Sequence, residues 1–141
     1  MSAPIEDWSL GRLLSTAARM VEHQWNAWLA QHELTHAGFL ALHTLGSGPL
    51  TQRQLAAASQ VEEQTMSRVL DRLERTGHVS RSRDATDRRR VLVERTELGE
   101  RTYAVVHASG VSDRLVDEAL EDPARFRAEL VRLVSALGST D

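Results

Sequence analysis

The sequence predicts a mainly α protein with a small β-hairpin, and three neighbouring stretches carry that prediction. Between Val61 and Val79, at about 100° per residue, Met66, Val69, Leu70 and Leu73 fall on one helix face and Gln64, Arg68 and Arg75 on the other, flanked by Asp71 and Arg72. Just upstream, Thr51 and Gln54 have the S/T-x-x-E/Q spacing of a capping box, which starts a shorter helix at Gln52. Just downstream, Val79 to Arg83 and Val91 to Arg95 alternate as two strands do, joined by Asp84-Ala85-Thr86-Asp87-Arg88-Arg89-Arg90.

In chain order, the first element is a long helix from about Ser9 to Gln31. Leu10, Leu13, Leu14, Ala17, Val21, Trp25, Trp28 and Leu29 recur on it at three- and four-residue steps. Such a stripe packs on its own domain or on a second subunit, and the pattern does not divide the residues between the two. Thr35 is a fitting N-cap for a second helix, His36 to Leu45, which Gly46-Ser47-Gly48-Pro49 ends. The capped helix from Gln52 runs to about Ser59, and a short turn leads to the helix with the arginine face. Gly77 stands where a left-handed cap is wanted. Two short helices at a tight turn, the second presenting polar donors outward, make a helix-turn-helix, and the hairpin beside it makes a wing. Thr96 then caps a helix read from Glu97 to about Leu120, bent at Gly110, and Asp122-Pro123 opens a last helix to Gly138. The expected organisation is a winged helix-turn-helix unit over residues 35–96 and a helical module formed by 1–34 with 97–141.

The chain has 141 residues, which fits one domain of ordinary size, and a net charge of −3, which by itself does not suggest a nucleic-acid partner. The distribution does. All 17 basic residues are arginine, and from Gln64 to Arg95 there are nine of them against five acids, so the excess positive charge lies on the helix and hairpin just described. Three consecutive arginines at a hairpin tip suit a narrow minor groove, where the potential is most negative. The absence of cysteine excludes disulfides, thiolate metal sites and thiol-based oxidant sensing. The start, MSAPIEDW, has no basic or apolar leader pattern, and no run of 18 apolar residues occurs, so a soluble cytoplasmic protein is expected.

His32-Glu33-Leu34-Thr35-His36 matches the H-E-x-x-H pattern of zinc hydrolases, which needs both histidines on one face of a continuous helix. Here the five residues fall at a helix junction and no third ligand is evident, so neither a metal nor an enzymatic role is expected.

With these residues in view, the chain resembles the MarR family of bacterial transcription regulators over nearly its whole length. The resemblance is carried by Leu34-Thr35, Leu50-Thr51 with Leu55-Ala56, the run Thr65 to Glu74, Gly77-His78-Val79, Asp84 and Asp87-Arg88-Arg89, and Thr96-Glu97-Leu98-Gly99. It implies a homodimer, with the terminal helices forming a helical dimerisation module and each subunit's winged unit on a pseudo-palindromic double-stranded DNA site. By position, Gln64, Thr65, Ser67 and Arg68 would approach bases, and Arg72 a phosphate. Thr51 and Gln52 would meet another phosphate, and Arg88, Arg89 and Arg90 would form the wing contact. Glu62-Glu63 departs from this pattern by putting two acids where phosphates approach. The resemblance also implies a repressor released by a small aromatic or phenolic ligand held between the helical module and the winged unit, without any cofactor. Arg19, Trp25, His36, Phe39 and His43 are the side chains expected near such a ligand. Some relatives bind zinc through helical histidines and acids; His23, His43, His107 and Glu22 are the residues to test, although the full ligand pattern is not visible. The competing readings are a winged-helix protein-interaction module without DNA binding and a zinc hydrolase using the H-E-x-x-H residues.

Overall fold

The computed structural model describes residues 2–139. Its elements are α1 (Leu10–Leu29), α2 (His36–Thr44), β1 (Leu50–Thr51), α3 (Gln52–Ala58), α4 (Glu63–Arg75), β2 (Val79–Arg83), β3 (Val91–Arg95), α5 (Glu97–Ser109), α6 (Val111–Asp117) and α7 (Pro123–Gly138), with single 3-10 turns at Ile5–Asp7, Ala30–His32 and Leu45–Ser47. Among the described residues, no helix is long and apolar enough to cross a membrane. The chain divides into two compact units, one made of residues 22–109 and the other of 1–21 with 110–141.

The unit of residues 22–109 is built on helix caps that the sequence dictates. After α1 the chain turns through Glu33 in the left-handed region, and the Leu34 N–H closes back on the Leu29 carbonyl. This places Leu34 in the core and frees Thr35 to cap α2 by accepting from the Gly38 N–H. Thr51 and Gln54 form the reciprocal capping box at the start of α3. Gln60, left-handed at φ 55°, turns the chain into α4, and Gly77 at φ 83° ends the corner beyond it. The core consists of Leu29, Leu34, Leu42, Leu55, Leu70, Val93 and Val106, at 2% exposure or less. Met66, Leu70 and Leu73 are the buried side of α4, as its periodicity predicts.

The sheet has the order β1-β3-β2, antiparallel throughout. Val79 pairs with Arg95 and Arg83 with Val91, and the two strands have the predicted bounds. The two-residue strand β1, in which Leu50 pairs with Val93 and Thr51 with Leu92, was not expected; Thr51 therefore ends a strand and caps a helix at once.

Past Thr96, the helix expected to run from Glu97 to Leu120 with a bend is two helices. Gly110 adopts φ 65°, outside any helix, and separates α5 from α6, which stops at Asp117. A left-handed residue breaks the ladder of backbone bonds instead of curving it. Asp122 caps α7 by accepting from the Arg125 N–H, with Pro123 in its first turn. In the unit formed by 1–21 and 110–141, a groove of about 740 Å³ runs along α6 and α7, lined mainly by Val116, Leu120, Phe126, Leu130, Val131 and Val134.

Candidate nucleic-acid interface

The α4 helix turns its polar side outward because its apolar triplet is anchored against α2 and α3. Gln64, Thr65, Arg68 and Arg72 are exposed, and Ser67 is half-buried at the edge of that face. Neither Arg68 nor Arg72 forms a side-chain ion pair among the described residues, so both guanidiniums keep their donors for an incoming acceptor. Glu62 and Glu63 at the helix start are exposed as well. Glu62 is the N-cap residue but makes no side-chain capping bond.

The wing tip is an ordered turn. The Asp84 carboxylate accepts from the Thr86 N–H at 3.0 Å and its hydroxyl at 2.9 Å, which holds the Asp84 carboxyl below its ordinary pKa, with Arg90 adding a weaker attraction. Asp87 accepts from the Arg89 N–H at 3.1 Å, and the Arg90 N–H closes the turn on the Asp87 carbonyl. The acids of the wing therefore fold the loop. Arg89, with 93% of its side chain exposed, is loosely tethered to Asp87 at 3.4 Å, and Arg90 lies 3.6 Å from the same carboxylate. Behind them Arg83 donates to the Arg88 carbonyl. Between the tip and the helices a groove of about 730 Å³ is lined by Thr51, Arg53, Gln54, Glu63, Arg89 and Arg90, among others.

Of the expected phosphate contacts, Thr51 is only 9% exposed and its hydroxyl is used as the α3 cap, accepting from the Gln54 N–H at 3.1 Å. Gln52 is half-buried, and its side-chain oxygen accepts from Arg81 at 3.5 Å. Arg81 was absent from the sequence-based set. Yet it is the most connected arginine of the unit, paired with Asp71 at 2.5 Å and Glu74 at 3.3 Å across to α4. The alternation of β2 held the clue, since Arg81 shares a strand face with buried Val79.

The residues expected near a ligand divide. Trp25, His36, Phe39 and His43 come together in one aromatic cluster: Trp25 Nε1 donates to His36 Nδ1 at 3.0 Å and meets Phe39 edge-on at 5.6 Å. Arg19 belongs to the other unit and bonds to Ser15 and Thr16 one turn back on α1. Three further members lie outside the expected ligand set, His107 having been named only as a zinc candidate. Tyr103 stacks on Phe39 at 5.3 Å and on His107 at 5.4 Å, and its hydroxyl hydrogen-bonds His43. Arg95, the last residue of β3, lies 4.2 Å over the Tyr103 ring and donates to the Leu42 carbonyl at 2.7 Å. The signal for Tyr103 and His107 was their four-residue spacing on α5, which puts both on one face.

The five residues of the H-E-x-x-H pattern are split as their junction position suggested. His32 ends a 3-10 turn and packs its ring on Trp28, Glu33 is left-handed, and His36 begins α2 with its Nδ1 taken by Trp25. The continuous helix that hydrolase chemistry needs is not there.

A model described as MarR family matches residues 32–90. The chain is 34% identical over 96 residues to YdcH of Bacillus subtilis, an uncharacterized HTH-type transcriptional regulator; the match spans 64% of this chain and 65% of that one. Among solved structures, the chain is similar to BldR, a transcriptional regulator of Sulfolobus solfataricus, with TM-score 0.76 and 27% identity over 98% of this chain and 99% of that one. It is similar also to a mutant MarR of E. coli complexed with operator DNA, with TM-score 0.75 and 26% identity over 89% of this chain and 92% of that one.

Proposed function

We propose that the chain, which resembles the MarR family in sequence and in fold, is a homodimeric, sequence-specific DNA-binding transcriptional regulator of that family, a repressor released by a small aromatic or phenolic ligand, and not an enzyme. The observation that carries the reading is the pairing of unengaged donors on α4 with an exposed arginine tip on the wing, two features that DNA would meet together. The complex of E. coli MarR with operator DNA supports the same partner.

In this reading α4 enters the major groove. Arg68 has the planar fork that matches guanine O6 and N7, Gln64 and Thr65 present shorter donors and acceptors to neighbouring bases, and Ser67 borders them. Arg72, a turn further on, meets phosphate. At the start of α3 the backbone N–H groups near Gln52 take a second phosphate, because the Thr51 hydroxyl is already committed to its cap. Arg89, helped by Arg88 and Arg90, enters the flanking minor groove. Two subunits would set two recognition helices about 34 Å apart, one turn of the duplex.

The effector is assigned to the cluster of Trp25, His36, Phe39, His43 and Tyr103. It offers ring faces for stacking, and Arg95 offers a cation for an anionic aromatic compound. Because Arg95 terminates β3, a ligand that draws its guanidinium away from Tyr103 perturbs the wing from its base. Switching the population from 1:99 to 99:1 would require about 5.5 kcal/mol of differential affinity.

The test is fluorescence anisotropy against a duplex of the gene's own upstream region, titrated with salt, with Arg68→Ala and Arg89→Ala alongside. Tight binding with a steep salt slope, abolished by Arg68→Ala and weakened by Arg89→Ala, is expected. Weak, salt-insensitive association that ignores both substitutions and the duplex sequence would sink direct DNA recognition. The protein-interaction module would then be the better reading.

A further inference from the structure

We infer that Arg81 is a positioning residue that clips the wing to the recognition helix, so that the base-reading face of α4 and the arginine tip move as one body. The inference rests on the DNA-binding reading above. Arg81 sits in the middle of β2, paired with Val93 of β3. Its Nη2 donates to Asp71 Oδ1 at 2.5 Å and Glu74 Oε1 at 3.3 Å, its Nε to Glu74 Oε2 at 3.5 Å, and its Nη1 to Gln52 Oε1 at 3.5 Å. One guanidinium thus joins β2 to two successive turns of α4 and to the first residue of α3. The side chain is 19% exposed, whereas its partners Asp71 and Glu74 are 56% and 46% exposed.

Three considerations make it a clip and not a DNA ligand. Its donors are already directed inward, and the planar fork loses these bonds if the wing rotates. Two acids on a helix that approaches phosphate work against binding, so their presence at positions 71 and 74 needs a compensating role, and holding Arg81 supplies one. The partners remain half in solvent, where ion pairs add little to global stability, so the consequence of cutting the clip falls on wing placement more than on folding.

The sign of the charge change provides the experiment. The double substitution Asp71→Asn with Glu74→Gln removes two negative charges beside the duplex. If Arg81 were a bystander or itself a phosphate contact, the affinity of the duplex used above would rise or stay level. A clip predicts the reverse, a loss of about tenfold in affinity at constant salt, the scale of coupling between residues of one network. Adding Arg89→Ala should then cost less than it does in the wild type, because an unclipped tip no longer reaches its groove; full additivity would overturn the inference. A second readout needs no DNA. Amide hydrogen exchange in residues 84–90 of the free protein should accelerate in the double variant while α2 amides stay unchanged, and equal protection of the wing would overturn the inference on its own. If the wild type binds no duplex the regulator reading falls, and the exchange result still decides the clip.

Discussion

At Gly99 there is no room for a side chain. A Cβ built on this residue would lie 2.0 Å from the His78 carbonyl oxygen, because the first turn of α5 is pressed against the corner between α4 and β2. Three bonds fix that corner: the Thr96 N–H donates to the His78 carbonyl, the Thr96 hydroxyl to the Gly77 carbonyl, and the Gly99 N–H to the Thr96 hydroxyl. Gly99→Ala must push backbone from backbone, and a loss of about 1–3 kcal/mol, or failure to fold, is expected in urea denaturation. His78 itself is 2% exposed. Thr76 Oγ1 donates to the Arg72 or Leu73 carbonyl, which leaves it to accept from His78 Nδ1–H at 2.6 Å. Burial pushes the imidazole below its ordinary 6.5, against a weaker upward pull from Glu33. Above pH 6.5 both the folded and the unfolded chain hold this residue neutral and its contribution is intact. As pH falls through 6.5 toward the depressed folded value, the unfolded chain takes the proton first, so stability drops with a slope of up to about 1.4 kcal/mol per pH unit. Denaturation midpoints between pH 5 and 8 should therefore fall on the acid side in the wild type and fall less in His78→Gln. An identical pH profile in the two proteins would remove His78 as the cause.

Local signals of two or more turns were legible and shorter or longer-range ones were not. The hairpin was readable to the residue because β2 and β3 alternate over five residues each, and α3 because its cap and its third residue identify one another. Strand β1 was invisible: two residues have no period, and Leu50-Thr51 forms a strand only because β3 lies beside it. The α5–α6 break was read as a bend because apolar residues such as Val105 and Val116 keep helical spacing across Gly110, and a glycine permits a positive φ without requiring one. The same limit applies to the site. Exposed Arg68 and Arg89 could be named from pattern, but the links from Arg81 to Asp71 and from Arg95 to Tyr103 are tertiary. Two predictions follow at this scale. Thr51→Ala removes the acceptor of the α3 cap and should cost about 0.5–2 kcal/mol in thermal or urea denaturation. Gly110→Ala has open space around it but a left-handed backbone, and should cost about 1–2 kcal/mol with no gain of helix signal in circular dichroism. An increase in helicity there would instead mean that α5 and α6 join into the single helix the periodicity suggests.

At the scale of the whole molecule, each of the two units carries its own kind of surface feature. The arginine excess lies between Gln64 and Arg95, while α7 exposes Val131 at 56% and Val134 at 69%, and the first turns of α1 expose Leu10 at 81% and Leu14 at 37%. Apolar residues at helical spacing, left open along a groove that α6 and α7 line, are a surface in want of a cover. Under the homodimer reading, a second copy of the chain supplies it, and folding becomes linked to association. The melting temperature should then rise with protein concentration, and sedimentation should give twice the mass of the 15.7 kDa chain at micromolar concentration. Val134→Glu would place a charge in that surface. It should shift the equilibrium to monomer and abolish the concentration dependence. Duplex affinity should fall at the same time although α4 and the wing are untouched, because one recognition helix alone retains only half of the phosphate contacts and hence about half the salt slope. A variant that stays dimeric, or a monomer that keeps the full slope, would mean that the exposed face of α7 serves another purpose and that DNA is read by single subunits.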